Sequence, residues 1–362
     1  MVIEIKDKNL YYVGGVVRDD ILRLPSLDVD LCYEGNAIEF ARSKGFEIIR
    51  ENPDFGTVRV LIQGEEVDIA STRTESYPKK GHLPQVDNIG CSLKEDLARR
   101  DFTINAMAKN TITGEVIDYF NGLDDIKNKK LRVLHKNSFI DDPTRIIRGL
   151  KFAVRFGFEL EEETRKLQED YLSNINYDMC YHRIKKELKE TFNLNSQQAL
   201  EKFIAEGVYN LLGAGQKVEK ALCAVKPLVE EYTPEIVWLI YLGIFDLSKL
   251  ELTKEEYEII STYNKIKNIF PETNVEIYKL FKNLPIESIL LYAIHSNQDI
   301  AKKYLTKIRN IKLEINGIDL RVLGIPQGKL YGEILEYLIE QKIDGKAFSK
   351  EDEISLVKQK YL

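Results

Sequence analysis

Two aspartates separated by a single residue, Asp28 and Asp30, are the strongest chemical signal in the chain. The segment 28–33 (DVDLCY) alternates polar and apolar residues, which is typical of a half-buried strand. Residues i and i+2 of a strand project from one face, so the two carboxylates would lie side by side. Such carboxylates repel each other unless a cation binds them, and Mg²⁺, which prefers oxygen ligands, meets that need. The alternative is a strand whose polar face is merely solvated.

A second signal lies just before these aspartates. Gly14 and Gly15 follow the β-prone run YYV (11–13) and open a segment, VVRDDILRL, that reads as a helix. Backbone N–H groups at such a junction can bind a triphosphate, and glycine lets the phosphates approach closely. Arg18 could reach the same phosphates; the alternative is a tight turn in which Arg18 forms a salt bridge with a nearby acid. A strand, a Gly-Gly turn, a helix and Asp-x-Asp within residues 11–31 indicate nucleotidyl transfer.

Further strands would place a third carboxylate beside the first two. TVRVLI (57–62) and EVDIA (66–70) read as strands, and Gln63-Gly64-Glu65 between them suits a hairpin turn. Asp68 in the second strand would complete a site for two metal ions, unless it is only a surface position of an amphipathic strand. NAIEFARSKG (36–45) predicts a helix that Asn36 can cap and Gly45 can end.

The remainder of the chain predicts helices. PTRIIRGLKFAVRF (143–156) is apolar at helical spacing, and helical periodicity continues to the end. The 362 residues are too many for one compact domain, so we expect an α/β head on a mostly helical body. The four cysteines are scattered, which argues against a zinc site. Because no apolar run approaches the roughly 18 residues of a membrane helix, we expect a cytoplasmic protein with no membrane contact.

Three further segments point to a family: 97–108 (LARRDFTINAMA), 116–126 (VIDYFNGLDDI) and 141–158 (DDPTRIIRGLKFAVRFGF). With VGGVVRD and DVDL they resemble, in order and spacing, the motifs of class II CCA-adding enzymes. This family lies within the DNA polymerase β-like superfamily and also contains bacterial poly(A) polymerases and separate CC-adding and A-adding enzymes. The resemblance covers roughly the first 190 residues and continues more faintly to the end. Residues 71–86 are similar to the family's mobile loop.

The resemblance implies an α+β fold, in which a DNA polymerase β-like nucleotidyltransferase head of mixed sheet and helices precedes an all-helical neck, body and tail. We place the catalytic head at 1–134, the neck with a nucleotide-template helix at 135–195, the body at 196–275 and a tRNA-binding tail at 276–362. The implied activity is template-independent addition of C, C and A to the 3′ end of tRNA from CTP and ATP, with pyrophosphate release. A CC-adding or A-adding partial enzyme, or a poly(A) polymerase, would share these motifs. No protein partner is predicted.

The resemblance also assigns roles to matching residues. Asp28 and Asp30 would hold two Mg²⁺ ions, one assisting attack by the tRNA 3′-OH on the α-phosphate and the other stabilising the pyrophosphate. Asp68 would complete the catalytic set, and Asp101 would accept a hydrogen bond from the ribose 2′-OH, which selects ribonucleotides. The implied nucleotide-binding residues are Gly14, Gly15, Arg18, Arg100, Asp101, Asn105, Asp142, Arg145 and Arg148.

Asp142 and Arg145 could read a base directly. Residues i and i+3 are neighbours on one helix surface, and aspartate accepts hydrogen bonds where arginine donates in a planar fork. Cytosine and adenine both present an amino donor beside a ring-nitrogen acceptor, so this pair would select them over uracil and guanine. The alternative is structural, because Asp142 before Pro143 is also a good helix N-cap. Family members usually have Glu-Asp where this chain has Asp141-Asp142, which leaves the reading pair intact.

A basic segment near the end of the chain is a candidate RNA contact. Residues 302–312 (KKYLTKIRNIK) have no acid among their cations, which are Lys302, Lys303, Lys307, Arg309 and Lys312. Such side chains contact phosphates and position RNA by shape rather than by sequence. The alternative is a solvated helix face. Second candidates are Arg183, Lys185, Lys186 and Lys189. The net charge of −6 does not exclude RNA binding through local basic surfaces.

Overall fold

The computed structural model describes residues 5–26, 29–213 and 222–362. The chain divides into two compact units. The first comprises Met1–Gln216 with Ser248–Glu251, and the second Lys217–Leu247 with Leu252–Leu362. The predicted head and neck therefore lie together in the first unit, which also contains the beginning of the predicted body.

The first unit is built on a mixed sheet. The strands are β1 (Leu10–Val13), β2 (Asp30–Tyr33), β3 (Glu47–Asn52), β4 (Thr57–Ile62), β5 (Glu65–Ser71), β6 (Arg73–Ser76), β7 (Gln85–Ile89), β8 (Met107–Asn110), β9 (Val116–Asp118), β10 (Lys130–Leu131) and β11 (Glu159–Leu160). Seven of them form one sheet in the order β3-β4-β5-β2-β1-β8-β9. Within it β2 and β5 are parallel, and the other neighbours are antiparallel. β6 and β7 form a separate hairpin.

The predicted strands at 11–13, 57–62 and 66–70 are confirmed, with ends that differ by at most one residue. Gln63 and Gly64 have φ angles of 54° and 85°, as a two-residue hairpin turn between twisted strands requires. β2 begins at Asp30; Asp28 lies outside the described residues. β3 was not predicted, because this edge strand buries no residue fully and its sequence EIIREN shows no regular alternation.

The other main elements are helices. Some lie between the strands, and those after β11 continue to the end of the chain. In the first unit they are α1 (Gly15–Ile21), α2 (Ala37–Ser43), α3 (Leu93–Ala98), α4 (Gly122–Lys127), α5 (Ser138–Asp141), α6 (Thr144–Phe156), α7 (Glu162–Ser173), α8 (Tyr181–Leu194) and α9 (Ser196–Ala205). In the second unit they are α10 (Leu222–Tyr232), α11 (Val237–Leu242), α12 (Lys254–Ile266), α13 (Asn274–Phe281), α14 (Ile286–His295), α15 (Gln298–Thr306), α16 (Gly317–Val322), α17 (Lys329–Ile343) and α18 (Lys350–Tyr361).

This distribution confirms the predicted α+β class with a mostly helical remainder, although the neck is not all-helical, because β11 lies within it and pairs with β10. The predicted helices at 36–45 and 143–156 are α2 and α6, and the side chain of Asn36 caps α2 by accepting the N–H groups of Ile38 and Glu39. Among the described helices, none has the length and apolar character needed to cross a membrane.

The sheet carries a separate apolar core on each face. The α2 side contains Leu31, Val67 and Ile69, and the opposite side contains Cys32 and Leu97. Because side chains alternate along a strand, burying Leu31 and Ile69 on the α2 side directs Asp30 and Asp68 to the other face. The apolar pattern of β2 and β5 thus places both carboxylates on the same surface.

Candidate active site

Asp30 and Asp68 are neighbours in the sheet. They are paired directly in the parallel register of β2 and β5, and both line a cavity of about 360 Å³. The residues around this cavity are Val13, Asp30, Leu31, Thr57, Asp68, Ile69, Ala70 and Arg100. Within the part of the chain that the structure describes, no group of three or more His, Cys, Asp or Glu side chains is placed to hold a metal ion. Asp28, the other predicted metal ligand, is not among those residues.

Asp68 has an arginine partner on the neighbouring strand. Nε and Nη2 of Arg59 donate to its two carboxylate oxygens at 2.8 and 2.7 Å. Both side chains are about half exposed, at 46% for Arg59 and 53% for Asp68. This fork offsets one of the two negative charges on the sheet face, so Asp68 shares its oxygens with Arg59 rather than offering them all to a ligand.

The Gly14–Gly15 turn lies against Arg100. Gly14 has a φ of 70°, and α1 begins at Gly15, as the sequence predicted. A Cβ added to Gly14 would lie 3.0 Å from Nη1 of Arg100. Nε of Arg100 is buried and has no hydrogen-bond partner among the described residues. A glycine turn and a helix start therefore lie beside Arg100, a cation with a spare donor that lines the same cavity as Asp30 and Asp68.

Arg18 adopts the alternative arrangement, in which it is bound to nearby protein groups. Its side chain is buried, with Nε 2.8 Å from Oδ1 of Asp19 and Nη1 2.6 Å from Oδ1 of Asn105. The guanidinium also lies over the rings of Phe152 and Phe156 on α6. These contacts join α1 to the neck helix. Because its donors already face protein partners, a phosphate would have to displace one of them, and the contact of Arg18 with phosphates stays a prediction.

Asp101 is held by four donors. Oδ1 accepts from the N–H of Phe102 at 2.7 Å and from Nδ2 of Asn105 at 2.9 Å. Oδ2 accepts from Nε and Nη2 of Arg148 at 2.8 and 2.6 Å. Burial alone would raise the pKa of Asp101, but the charge of Arg148 and these hydrogen bonds outweigh it and lower the pKa to about 2. The charge of Asp101 in turn raises the pKa of Arg148.

This depressed pKa predicts a pH-dependent part of the stability. A carboxylate with a lower pKa in the folded state stabilises the protein above its unfolded pKa and loses that effect as the pH falls. For a shift from 3.8 to about 2 the contribution is about 2 kcal/mol at neutral pH, with about 1 kcal/mol of it gone at pH 3. Urea unfolding at pH 5 and pH 3 should show a larger loss for the wild type than for Asp101→Asn. Equal losses would contradict the assignment.

Asp142 caps α6 and binds an arginine from α8. It lies in extended conformation two residues before the helix, and its Oδ1 accepts the N–H and hydroxyl of Thr144 at 3.1 and 2.6 Å. Its Oδ2 accepts from Nη2 of Arg183 at 2.7 Å. Nη1 of Arg183 also donates to Oδ1 at 3.2 Å, so Arg183 contacts both oxygens while Thr144 contacts Oδ1 alone. Asp142 and Arg145 do not share one helix surface, since α6 begins after Asp142, but both lie at its N-terminal end.

Arg145 connects α6 to the end of α3 and to the segment that follows β6. Nη1 donates to the hydroxyl of Ser138 at 2.6 Å, and Nη2 donates to the carbonyl of Arg99 at 2.9 Å and to the hydroxyl of Tyr77 at 3.3 Å. Tyr77 belongs to the segment that resembles a mobile loop. Burial raises the pKa of Tyr77, so its hydroxyl remains protonated at neutral pH. Arg145 therefore contacts this loop directly through a stable donor–acceptor pair.

Two contacts of the site residues were not predicted from the sequence. Asp96 binds Arg99 and Arg100, and the i, i+3 and i, i+4 spacing on a helix could have revealed it. Arg183, a second candidate for RNA contact, binds Asp142, and no local pattern connects residues so far apart in the chain. The five cations of 302–312 are all exposed, and none forms an ion pair with another described residue.

Comparisons with known proteins agree with this geometry. Residues 10–132 match the family model described as the poly A polymerase head domain. The A-adding tRNA nucleotidyltransferase of Aquifex aeolicus is 34% identical over 91% of this chain and 44% of its own length. A solved CCA-adding enzyme, apo form II, is 30% identical with a TM-score of 0.76, covering 97% of this chain and 91% of that one. The Thermotoga maritima CCA-adding enzyme complexed with tRNA is 29% identical with a TM-score of 0.75, covering 97% and 90%.

The chain spans less than half the length of the Aquifex relative but nearly the whole length of the two solved enzymes. The similarity extends through both units, and the head sheet that carries Asp30 and Asp68 lies inside the matched head domain. The chain therefore belongs to the family of class II CCA-adding enzymes, the tRNA nucleotidyltransferases and bacterial poly(A) polymerases.

Proposed function

We propose that the protein adds C, C and A to the 3′ end of tRNA from CTP and ATP and releases pyrophosphate. The observation that carries this proposal is the register pairing of Asp30 with Asp68 beside Arg100 and the Gly14–Gly15 turn. Nucleotidyl transfer needs carboxylates for metal ions next to donors for a triphosphate, and this cavity offers both. A tRNA substrate would place the reaction in the cytoplasm.

The donor set of this cavity fits a divalent cation. Asp30 and Asp68 present carboxylate oxygens side by side on one sheet face, and hard cations such as Mg²⁺ prefer such ligands. We propose that Asp28 and Asp30 hold the metal. Asp68, whose charge is partly offset by its ion pair with Arg59, contributes negative charge beside it. Bound Mg²⁺ would favour the attack of the 3′-OH on the α-phosphate and stabilise the leaving pyrophosphate.

The residues around the metal would bind the nucleotide in three parts. Gly14, Gly15 and Arg100 would contact the triphosphate, and Asp142 with Arg145 would read the base. Asp101 would contact the ribose, although its carboxylate already accepts four hydrogen bonds and has little spare capacity. A ribose hydroxyl must therefore take the place of an Arg148 donor, since Arg148 is the partner that is partly exposed.

We propose that the tRNA contacts the cations of 302–312. On α15 and the turn after it, Ala301, Tyr304, Leu305 and Ile308 are buried, which leaves the lysines and Arg309 at the surface. This assignment keeps the predicted organisation of head (1–134), neck (135–195), body (196–275) and RNA-binding tail (276–362).

Replacing Lys302 and Lys303 together with alanine should weaken tRNA binding and make it less sensitive to salt. Each lost phosphate contact lowers the slope of log K against log salt by about 0.9, so we expect a change of about 2. Filter binding across a salt series measures the slope. A matched control replaces Lys254 and Lys265, two exposed lysines on α12. An equal change in both double variants would show that only net charge matters.

The Aquifex relative favours a second candidate, addition of the terminal A alone. The deciding experiment uses tRNA transcripts that end before CCA, after C and after CC, with Mg²⁺ and each of CTP, ATP, GTP and UTP. Ordered addition of C, C and A that then stops supports the proposal. Addition of A only to the CC-ended tRNA makes the protein an A-adding enzyme, arrest at CC a CC-adding enzyme, and unlimited A addition a poly(A) polymerase. No incorporation refutes all four.

A further inference from the structure

Asp96 is a buried carboxylate on α3 that is surrounded by donors. Its relative exposure is 0%. Oδ1 accepts from the backbone N–H of Arg73 at 3.1 Å and from Nε and Nη2 of Arg99 at 3.0 and 2.8 Å. Oδ2 accepts from Nη2 of Arg100 at 3.0 Å, and the Cys32 thiol lies 3.9 Å away. This carboxylate therefore contacts two consecutive arginines and also two strands, β6 through Arg73 and β2 through Cys32.

Such a buried charge is stable only because it is paired. An isolated carboxylate in the protein interior is costly, whereas hydrogen-bonded cations offset that cost. Burial would raise the pKa of Asp96, but the charges of Arg100 and Arg99 outweigh it and lower the pKa. Asp96 is thus ionised at neutral pH and can restrain both arginines.

The hydrogen bond to Asp96 fixes the direction of the Arg100 side chain. With Nη2 on Asp96, its Nη1 lies beneath Gly14 and its Nε has no partner among the described residues. Arg100 lines the same cavity as Asp30. The position of Asp96 is itself fixed, because a capping box between Ser92 and Glu95 anchors the start of α3. A guanidinium without this anchor would sample many rotamers, and ordering it around an anion would cost conformational entropy.

We propose that Asp96 is a positioning residue for triphosphate binding, which acts by holding the guanidinium of Arg100 beside the Gly14–Gly15 turn. Asp96 does not touch the nucleotide. The inference rests on the proposed function for the identity of the ligand, a ribonucleoside triphosphate. It differs from a purely structural role because the effect of Asp96 on binding must pass through Arg100.

A double-mutant cycle with Asp96→Asn and Arg100→Gln tests the inference. Asparagine keeps the shape of Asp96 but turns one acceptor into a donor that faces other donors. We expect the Kd of CTP, measured by calorimetry with Mg²⁺ and without tRNA, to rise about tenfold in Asp96→Asn, as the loss of a charge-assisted hydrogen bond predicts. In the Arg100→Gln background the same change should alter the Kd less than about twofold.

Glu353→Gln is the matched control for destabilisation. Glu353 is also 0% exposed and ion-paired, with Lys342, but it lies in the second unit. It should lower the melting temperature and leave the Kd of CTP unchanged. Additive effects of Asp96→Asn and Arg100→Gln on binding would overturn the inference, because they would show that Asp96 does not act through Arg100.

The remaining outcomes also decide the matter. If Asp96→Asn does not fold, Arg100→Gln alone decides: it should raise the Kd of CTP about tenfold, and an unchanged Kd contradicts the inference. A wild type that binds CTP but adds no nucleotide refutes the proposed function and leaves the inference standing. A wild type that binds neither CTP nor ATP refutes the inference.

Discussion

Replacing Asp30 with asparagine is expected to reduce nucleotide addition by about a thousandfold or more, since removing one metal carboxylate takes away several kcal/mol of charge stabilisation in the transition state. The asparagine side chain would keep the strand and the size of the original residue, but a neutral amide binds a hard cation poorly. Asp68 cannot fully compensate, because it shares both of its oxygens with Arg59. Single-turnover incorporation on a saturating tRNA transcript isolates the chemical step from binding.

The control is Glu66→Gln on β5. Glu66 is another exposed acid on the strand of Asp68, and it contacts Arg59 only at 3.5 Å. Its replacement should leave the rate unchanged, and both variants should bind tRNA as tightly as the wild type. A thousandfold loss in Asp30→Asn together with lost tRNA binding would assign Asp30 a role in RNA contact instead. A rate within tenfold of the wild type would remove Asp30 from the catalytic set.

The fold of the head could be predicted where local chemistry and the sheet agree. β4, β5 and their turn follow from alternation and from the Gln63–Gly64 turn, and α2 follows from its Asn36 cap. The edge strand β3 was not predicted, because its half-buried and exposed side chains do not alternate. Its sequence therefore shows no strand periodicity.

The site was harder to predict because distant residues compete for the same groups. The sequence showed that Arg18 could bind phosphates or an acid, and only the folded structure shows that Asp19 and Asn105 accept from it while aromatic rings of α6 cover its guanidinium. The sequence did not indicate that Arg183 would bind Asp142, since the two residues lie far apart in the chain. Local patterns predicted the candidate groups, whereas long-range contacts determine which of their atoms are available.

Asp142→Asn is expected to lower the preference for CTP and ATP over UTP and GTP by about 10- to 100-fold, which corresponds to the roughly 1–3 kcal/mol of one base-reading pair. The N–H of Thr144 needs an acceptor, so the asparagine oxygen stays at the helix cap and its amide group replaces Oδ2. The amide then presents a donor to the amino group of cytosine or adenine, and a donor cannot accept that hydrogen bond. Competition between CTP and UTP for one tRNA transcript measures the preference.

This substitution separates the two roles of Asp142, because asparagine caps a helix about as well as aspartate does. If Asp142 only caps α6, nucleotide preference will be unchanged in Asp142→Asn. Arg183→Gln is the companion variant: it also breaks the ion pair of Asp142 but leaves both carboxylate oxygens as acceptors. It should therefore keep the preference for CTP. A loss of preference in Arg183→Gln equal to that in Asp142→Asn would mean that the ion pair with α8, rather than an acceptor facing the base, sets the choice of nucleotide.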